Sequence, residues 1–146
     1  MGSFYGPESP APQDYARRGL AAFPGRSEAY LPQIWVQDAA SAVVTALTGQ
    51  IPSGIYDVAD DEPLTRGELF AVMAQAVGRK HLLHPPTPVM RMLTGVVYGV
   101  MSRSLRVSNR RFKEASGWQP EVPNARVGWA CLAKEGKAAE PIKKGT

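Results

Sequence analysis

The sequence predicts an α/β fold that is mostly helical, with a small sheet of short strands. Short apolar runs that suit strands alternate with longer segments of helical periodicity, in the order strand, helix, strand, helix. The chain has 146 residues, 44% of them hydrophobic, which suits one globular domain with its own core. We expect this domain to cover residues 1–133 and a flexible basic tail to follow over residues 134–146.

The first half of the chain predicts one short helix, one strand and one longer helix. Five prolines interrupt residues 1–33, so only residues 13–23 can form a short helix there. The apolar run at residues 34–36 predicts a strand. Asp38 is placed to cap a helix over residues 39–47. The helical spacing of that segment places Ala39, Val43 and Leu47 on one face.

A second strand and a second long helix are predicted next. Residues 54–58 are apolar enough for a strand, and a polar turn follows them. Thr65 and Glu68 have the spacing of a capping box, in which a hydroxyl and a carboxylate satisfy the first amides of a helix. That helix is predicted to run to Val77 and to end at Gly78.

The last predicted helices differ in character. Residues 89–101 form a nearly all-apolar segment, which predicts a helix buried on all sides. Gly95 and Gly99 within it suggest the close approach of another backbone. Ser108 is placed to cap a final helix that ends at Ser116, before Gly117.

Composition limits the class of protein. The formal net charge of +4 is mildly basic and does not predict a nucleic-acid binder. One cysteine, Cys131, excludes an intrachain disulfide and fits a reducing compartment. No stretch approaches the ~20 apolar residues that span a bilayer, and the N-terminus lacks a signal-peptide pattern. We therefore expect a cytoplasmic protein without a membrane partner.

The motifs of common cofactor and nucleophile sites are absent from the sequence. No two glycines lie two residues apart, so there is neither a dinucleotide fingerprint nor a P-loop. No tyrosine has a lysine four residues later, which removes the Tyr/Lys pair of short-chain dehydrogenases. Ser41 and Thr45 have no neighbouring base. We predict no catalytic residue and no cofactor-binding residue in this chain.

Three groups of polar residues are candidates for binding sites. His81 and His84 lie three residues apart, but a metal site needs further ligands, and surface histidines beside a proline turn are the stronger interpretation. Residues 60–62 are three acids that suit a solvated turn better than a cation site. The basic cluster suits a phosphate group or a solvated helix face. Its members are Arg103, Arg106, Arg110, Arg111 and Lys113.

Four short motifs occur in a fixed order along the chain. They are Phe4-Tyr5-Gly6-Pro7, residues 34–40 (IWVQDAA), residues 55–63 (IYDVADDEP), and RVSN at 106–109 followed by GWQP at 117–120. In this order they resemble the C-terminal part of extended short-chain dehydrogenase/reductases, the NAD-dependent epimerase/dehydratase family. The resemblance covers about residues 2 to 129.

The resemblance implies a substrate-side role. In this family the N-terminal half binds NAD or NADP and supplies the catalytic pair, whereas the C-terminal half closes over the substrate, often a nucleotide sugar. It implies that the substrate side includes Tyr5, Pro7, Trp35, Arg106 and Asn109. Trp35 stands where the family frequently has histidine, and Leu31 where sugar-nucleotide epimerases tend to carry arginine.

Two hypotheses follow. The first is a substrate-binding domain that lacks its cofactor-binding half and is not catalytic alone; its partners are that half and a nucleotide sugar or another small polar substrate. The second is a non-catalytic binding or assembly module, a homo-oligomer that self-associates through residues 89–101.

Overall fold

The computed structural model describes residues 3–21 and 23–139, with side chains described as far as residue 135. Its elements are β1 (Ser3–Tyr5), α1 (Pro10–Arg17), β2 (Gln33–Trp35), α2 (Val36–Thr48), α3 (Arg66–Ala76), α4 (Thr87–Thr94), a 3₁₀ turn (Gly95–Val97), α5 (Tyr98–Met101), α6 (Arg110–Ser116) and α7 (Ala125–Ala139). The predicted fold class, mostly helical α/β with a small sheet, is confirmed.

The sheet consists of two parallel strands. Ser3 lies opposite Gln33, and Tyr5 lies opposite Trp35 at the other end of the register. Parallel strands need a long crossover connection, and residues 6–32, which contain α1, provide it. Within the described residues β1 pairs only with β2, so the other edge of β1 has no strand beside it.

The main core lies between β1, β2, α3 and α7. Leu69 and Met73 of α3 and Trp129 and Leu132 of α7 are buried there with Tyr5. Helix α7 was not predicted from the sequence. Its apolar residues repeat with helical spacing, but polar residues surround them. The helix continues to Ala139, so the first part of the predicted tail is helical, and residues 140–146 lie outside the described residues.

Two predicted helix starts in the first half were wrong. The first helix begins at Pro10, not at residue 13, because proline lacks only an amide that has no partner in a first turn anyway. The second begins at Val36 and has Trp35 at its N-cap, so Asp38 lies inside the first turn and is buried. Of the three residues predicted to share an inner face, Val43 and Leu47 are exposed.

The predicted strand at residues 54–58 is also absent. This segment has no regular secondary structure and pairs with no strand among the described residues, and Ile55 is exposed to solvent. By contrast, the capping box of α3 is confirmed in full. The Thr65 hydroxyl accepts a hydrogen bond from the Glu68 amide, and the Glu68 carboxylate accepts one from the Thr65 amide.

The apolar helix predicted over residues 89–101 is interrupted at Gly95. Gly95 has a positive φ of 54°, which ends α4 and leads through the 3₁₀ turn into the short α5. Its apolar side chains are mostly exposed, against the prediction of burial, and Met90 is the only fully buried residue of α4. Asn109, not Ser108, occupies the N-cap position of α6, although the Ser108 hydroxyl accepts a weak hydrogen bond from the Arg110 amide.

Candidate functional site

Tyr5 and Trp35 meet in the core next to a buried acid. Tyr5 is 1% exposed, and its hydroxyl donates a hydrogen bond to Asp60 Oδ2 over 2.8 Å. The other oxygen of Asp60 accepts a bond from the Trp35 amide over 3.3 Å. The two rings are in edge-to-face contact, with centroids 5.2 Å apart. The paired register of the strands therefore brings two predicted substrate residues together, and Asp60 joins them.

Burial changes the acidity of this pair. Loss of water raises the pKa of Asp60 to about 7, and the bonds from Tyr5 and Trp35 only partly offset that effect. Burial beside Asp60 raises the pKa of Tyr5 above its ordinary value, so the phenol stays protonated. The prediction that Asp60 lies in a solvated turn was wrong, since the side chain is buried. Three consecutive acids give no signal that the first one is buried.

Helix α7 closes this cluster from one side. Trp129 stacks on Tyr5 with nearly parallel rings 6.5 Å apart. Gly128 allows the approach, because a Cβ there would lie 2.7 Å from the Tyr5 hydroxyl oxygen. The tyrosine ring is thus enclosed by Trp35, Trp129 and the backbone of α7, and it is closed to a ligand.

Asn109 is buried and binds within the protein. Its amide donates to the Ala59 carbonyl and to Asp61 Oδ1, each over 2.7 Å. Lys113 forms an ion pair with the same Asp61 carboxylate over 2.9 Å. Asn109 therefore holds the segment after Val58 against α6. It also borders an open polar cavity of about 590 Å³, lined by Asp61, Asn109, Arg110, Lys113, Glu114 and Gln119.

The remaining two predicted substrate residues, Pro7 and Arg106, are exposed. The Arg106 guanidinium lies over the Tyr30 ring, 5.4 Å from its centroid. The backbone around Tyr30 is fixed at the same place, since its amide donates to the Ser104 hydroxyl and its carbonyl accepts from the Leu105 amide. Arg106 is thus a positioned surface cation, separate from the buried group of Tyr5 and Trp35.

Two charged side chains, Asp38 and Arg66, are buried although the sequence did not predict it. Asp38 accepts hydrogen bonds from the amides of Glu121 and Val122, at 2.8 and 2.9 Å, and so ties α2 to the segment before α7. Arg66 is fully buried and donates to the carbonyls of Met101 and Arg103 over 2.6 and 3.1 Å. Desolvation lowers the pKa of Arg66 below its ordinary value. Neither position differs from a surface residue in the sequence pattern.

The basic cluster does not converge on one phosphate site. Arg110 pairs with Glu114, Lys113 pairs with Asp61, and Arg111 lies over the Tyr56 ring. Arg111 also sits beside an apolar cavity of about 430 Å³ between α2, α6 and residues 51–58. The cations are thus distributed over separate partners, which favours the solvated-face interpretation for most of them.

Among the described residues, the histidines and the cysteine form no metal site, and the helices include no membrane span. In the described part of the chain, no three histidine, cysteine or carboxylate side chains lie together as a metal site. His81 is exposed, whereas His84 packs against Phe70, and Cys131 is a half-buried free thiol. Among residues 3–21 and 23–139, no helix combines the length and apolar character needed to cross a membrane.

The architecture defines a class of protein. The chain has the fold of the C-terminal portion of extended short-chain dehydrogenase/reductases, the epimerase and dehydratase enzymes. Among solved structures it is similar to the human epimerase family protein SDR39U1 (isoform 2) with NADPH, with a TM-score of 0.76 and 22% identity over 91% of this chain. No family model matches the chain, and no curated protein matches it by sequence.

Two further structures show the same likeness. A functionally unknown conserved protein from Silicibacter pomeroyi has a TM-score of 0.68 and 26% identity over 92% of this chain. The UDP-glucose 4-epimerase of Thermus thermophilus, in complex with NAD, has a TM-score of 0.63 and 25% identity over 94%. The chain spans 46% of the first two structures and 45% of the third, slightly less than half of each.

Proposed function

We propose that this chain is the substrate-side part of an NAD(P)-dependent epimerase- or dehydratase-type enzyme and is not catalytic alone. The observation that carries the proposal is the coverage: 91% of the chain superposes on 46% of a structure that binds NADPH. The sequence lacks the glycine fingerprint that would hold a pyrophosphate, and also the Tyr/Lys pair that would move the proton. NAD or NADP would therefore bind to a separate cofactor half.

The structure offers a surface for such a half. The outer edge of β1 has no neighbour in the described residues, and a parallel sheet extends by adding a strand to such an edge. Three large apolar residues of α2 are exposed next to the same sheet. These residues are Val43, Val44 and Leu47. An apolar face of this kind on a globular protein is typical of an interaction site.

The substrate proposal concerns Arg106. A guanidinium at the surface, held over Tyr30, suits an anionic group such as the phosphates of a nucleotide sugar. Tyr5, Trp35 and Asn109 would then support the site without touching the substrate. Their hydrogen bonds lie within the protein and hold β1, β2 and α6 in place.

Two titrations test this proposal. We expect the purified chain to show no saturable change in NADPH fluorescence at micromolar concentrations, and micromolar binding would contradict a missing cofactor site. We expect UDP-glucose to shift amide resonances near Tyr30, with binding weakened about tenfold in Arg106→Gln. Arg26→Gln, which removes another exposed arginine, is the control. An unchanged affinity in Arg106→Gln would contradict the substrate site.

Self-association through residues 89–101 is the second candidate, and the exposed apolar side chains of that segment favour it. A second copy could cover Met92 and Val96. Sedimentation velocity distinguishes the two candidates: a dimer that Val96→Asp dissociates supports self-association, whereas a monomer at high concentration contradicts it.

A further inference from the structure

Arg66 is a buried cation that binds backbone rather than an acid. It is the first residue of α3, and its side chain is fully buried. A guanidinium stays charged in proteins, and a buried charge is costly unless hydrogen bonds satisfy it. Within the described part of the chain, its hydrogen bonds go to carbonyl oxygens and not to a carboxylate. A side chain of this kind joins backbone segments instead of pairing with another charge.

The two segments that it joins are distant in sequence. One terminal nitrogen donates to the Met101 and Arg103 carbonyls over 2.6 and 3.1 Å, and the other lies 3.5 Å from the Tyr30 carbonyl oxygen. The backbone amide of Arg66 also donates to the Ala29 carbonyl over 2.9 Å. The planar fork of the guanidinium therefore holds the backbone around Tyr30 against the end of α5.

Arg106 follows in one of these two segments. Residues 103–109 have no regular secondary structure, so neither a helix nor a sheet fixes the Arg106 backbone. Two more hydrogen bonds connect this segment to Tyr30: the Ser104 hydroxyl accepts from the Tyr30 amide, and the Leu105 amide donates to the Tyr30 carbonyl. The Arg106 guanidinium lies 5.4 Å from the Tyr30 ring centroid. The ring and the cation thus belong to the two segments that the buried fork joins.

Close packing also determines where the fork lies. A Cβ at Gly25 would be 2.9 Å from both Nε and Cζ of Arg66 and 3.1 Å from the Ser102 carbonyl oxygen. Gly25 has a φ of 125°, which side chains rarely adopt. The guanidinium is therefore packed between the backbone of Gly25 and the backbone at the end of α5, as well as hydrogen-bonded there.

We propose that Arg66 is a positioning residue that holds the Arg106 guanidinium over Tyr30, where it contacts the anionic group of the substrate. This inference rests on the proposed function, which places Arg106 at the substrate. Arg66 itself does not touch the substrate, because its side chain has no exposed surface. Lysine cannot replace it, since a single ammonium group lacks the planar fork that reaches several carbonyls.

The first test is a double-mutant cycle on the full chain, with UDP-glucose as the probe and amide chemical shifts as the measure of affinity. Arg66→Met keeps an unbranched side chain in the core and removes the fork. We expect it to weaken binding about fivefold in the unmodified chain and to have no further effect in Arg106→Gln. A general structural defect would instead weaken binding by the same factor in both backgrounds.

The second test needs no substrate. The Arg106 guanidinium lies over an aromatic ring, so its NMR signals carry a ring-current shift that Tyr30→Leu removes. We expect Arg66→Met and Arg66→Lys to lose most of this shift, while the rest of each spectrum stays that of a folded protein. The loss in Arg66→Lys would show that the fork, and not the buried charge alone, positions Arg106.

Arg79→Met is the matched control. The Arg79 guanidinium also donates to a backbone carbonyl, that of Arg17, over 3.2 and 2.7 Å. These bonds tie the residues after α3 to the end of α1 and do not involve Tyr30. We expect Arg79→Met to leave both the affinity and the Arg106 signal unchanged. Effects as large as those of Arg66→Met would indicate a general loss of packing and would contradict the proposal.

The remaining outcomes separate this proposal from the proposed function. If Arg106→Gln weakens binding but Arg66→Met changes neither the affinity nor the Arg106 signal, the positioning role is wrong and the substrate site stands. Unfolding of both Arg66 variants would assign Arg66 to the core and would also overturn the role. If the unmodified chain does not bind UDP-glucose, the substrate site is wrong, and the ring-current shift alone decides whether Arg66 holds Arg106.

Discussion

The buried Asp60 predicts a stability that falls as the solution becomes more alkaline. Its pKa is raised from 3.8 to about 7 in the folded protein, so between these values the folded state binds a proton that the unfolded state has lost. Raising the pH removes that proton and leaves a buried charge. The contribution of Asp60 to the free energy of unfolding is therefore greatest below about pH 4 and declines up to about pH 7. A carboxylate with a lowered pKa shows the opposite trend, because its contribution rises with pH.

The magnitude follows from the size of the shift. A difference of about three pKa units corresponds to roughly 4 kcal/mol over the whole window, at 1.36 kcal/mol per unit. Between pH 5 and pH 8 the Asp60 contribution to the free energy of unfolding should fall by roughly 2.5 kcal/mol. Glu28 and Glu68 have lowered pKa values, so their losses of stability occur in more acidic solution, outside that range.

Urea denaturation at several pH values measures this effect. Asp60→Asn keeps an oxygen for the Trp35 amide and removes the titrating proton, so the difference between the two proteins isolates Asp60 and cancels the other groups. Asp14→Asn, at an exposed carboxylate on α1, is the control and should retain the pH dependence. Equal slopes for the unmodified chain and Asp60→Asn between pH 5 and pH 8 would refute a raised pKa at this site.

Three further changes test the packing. Gly128→Ala should destabilise the chain by about 1–3 kcal/mol in urea denaturation, although alanine favours helices, because the new methyl group meets Tyr5. In the control Gly99→Ala the methyl group meets open space, so stability should be unchanged or higher. A Gly99→Ala protein less stable than Gly128→Ala would contradict the close approach of Gly128 to Tyr5. Thr65→Ala should cost about 1–2 kcal/mol, with Thr65→Ser restoring most of it. Arg66→Met should speed hydrogen exchange at the amides of residues 101–105 more than elsewhere, and uniform exchange would disprove the anchoring role.

The sequence predicted local features that depend on only a few neighbouring residues. The capping box at Thr65 and Glu68 and the end of α6 at Gly117 are both confirmed, because each depends on hydrogen bonds or backbone angles within one turn. The strand at the IWV run was right to within one residue. The fold class followed from the alternation of these segments, and the ordered motifs indicated the same fold that the solved structures show.

The site was less accessible to sequence reasoning. Asp38 suits a helix cap by type, yet its carboxylate binds amides more than 80 residues away. Residues 54–58 have the composition of a strand, but within the described residues no strand lies beside them to form a sheet. Whether Tyr5, Trp35 and Asn109 contact a substrate depends on which of their atoms already have partners, and composition carries no such information.

The sequence by itself determined the α/β class, the local signals that start and stop helices, and the absence of a dinucleotide loop, because these depend on residues close together in the chain. Only the tertiary structure decided that Asp60 and Arg66 are buried and that most apolar side chains of residues 89–101 are exposed. The physical reason is that burial is set by segments distant in sequence that meet in space, so identical residue types have opposite environments and different pKa values.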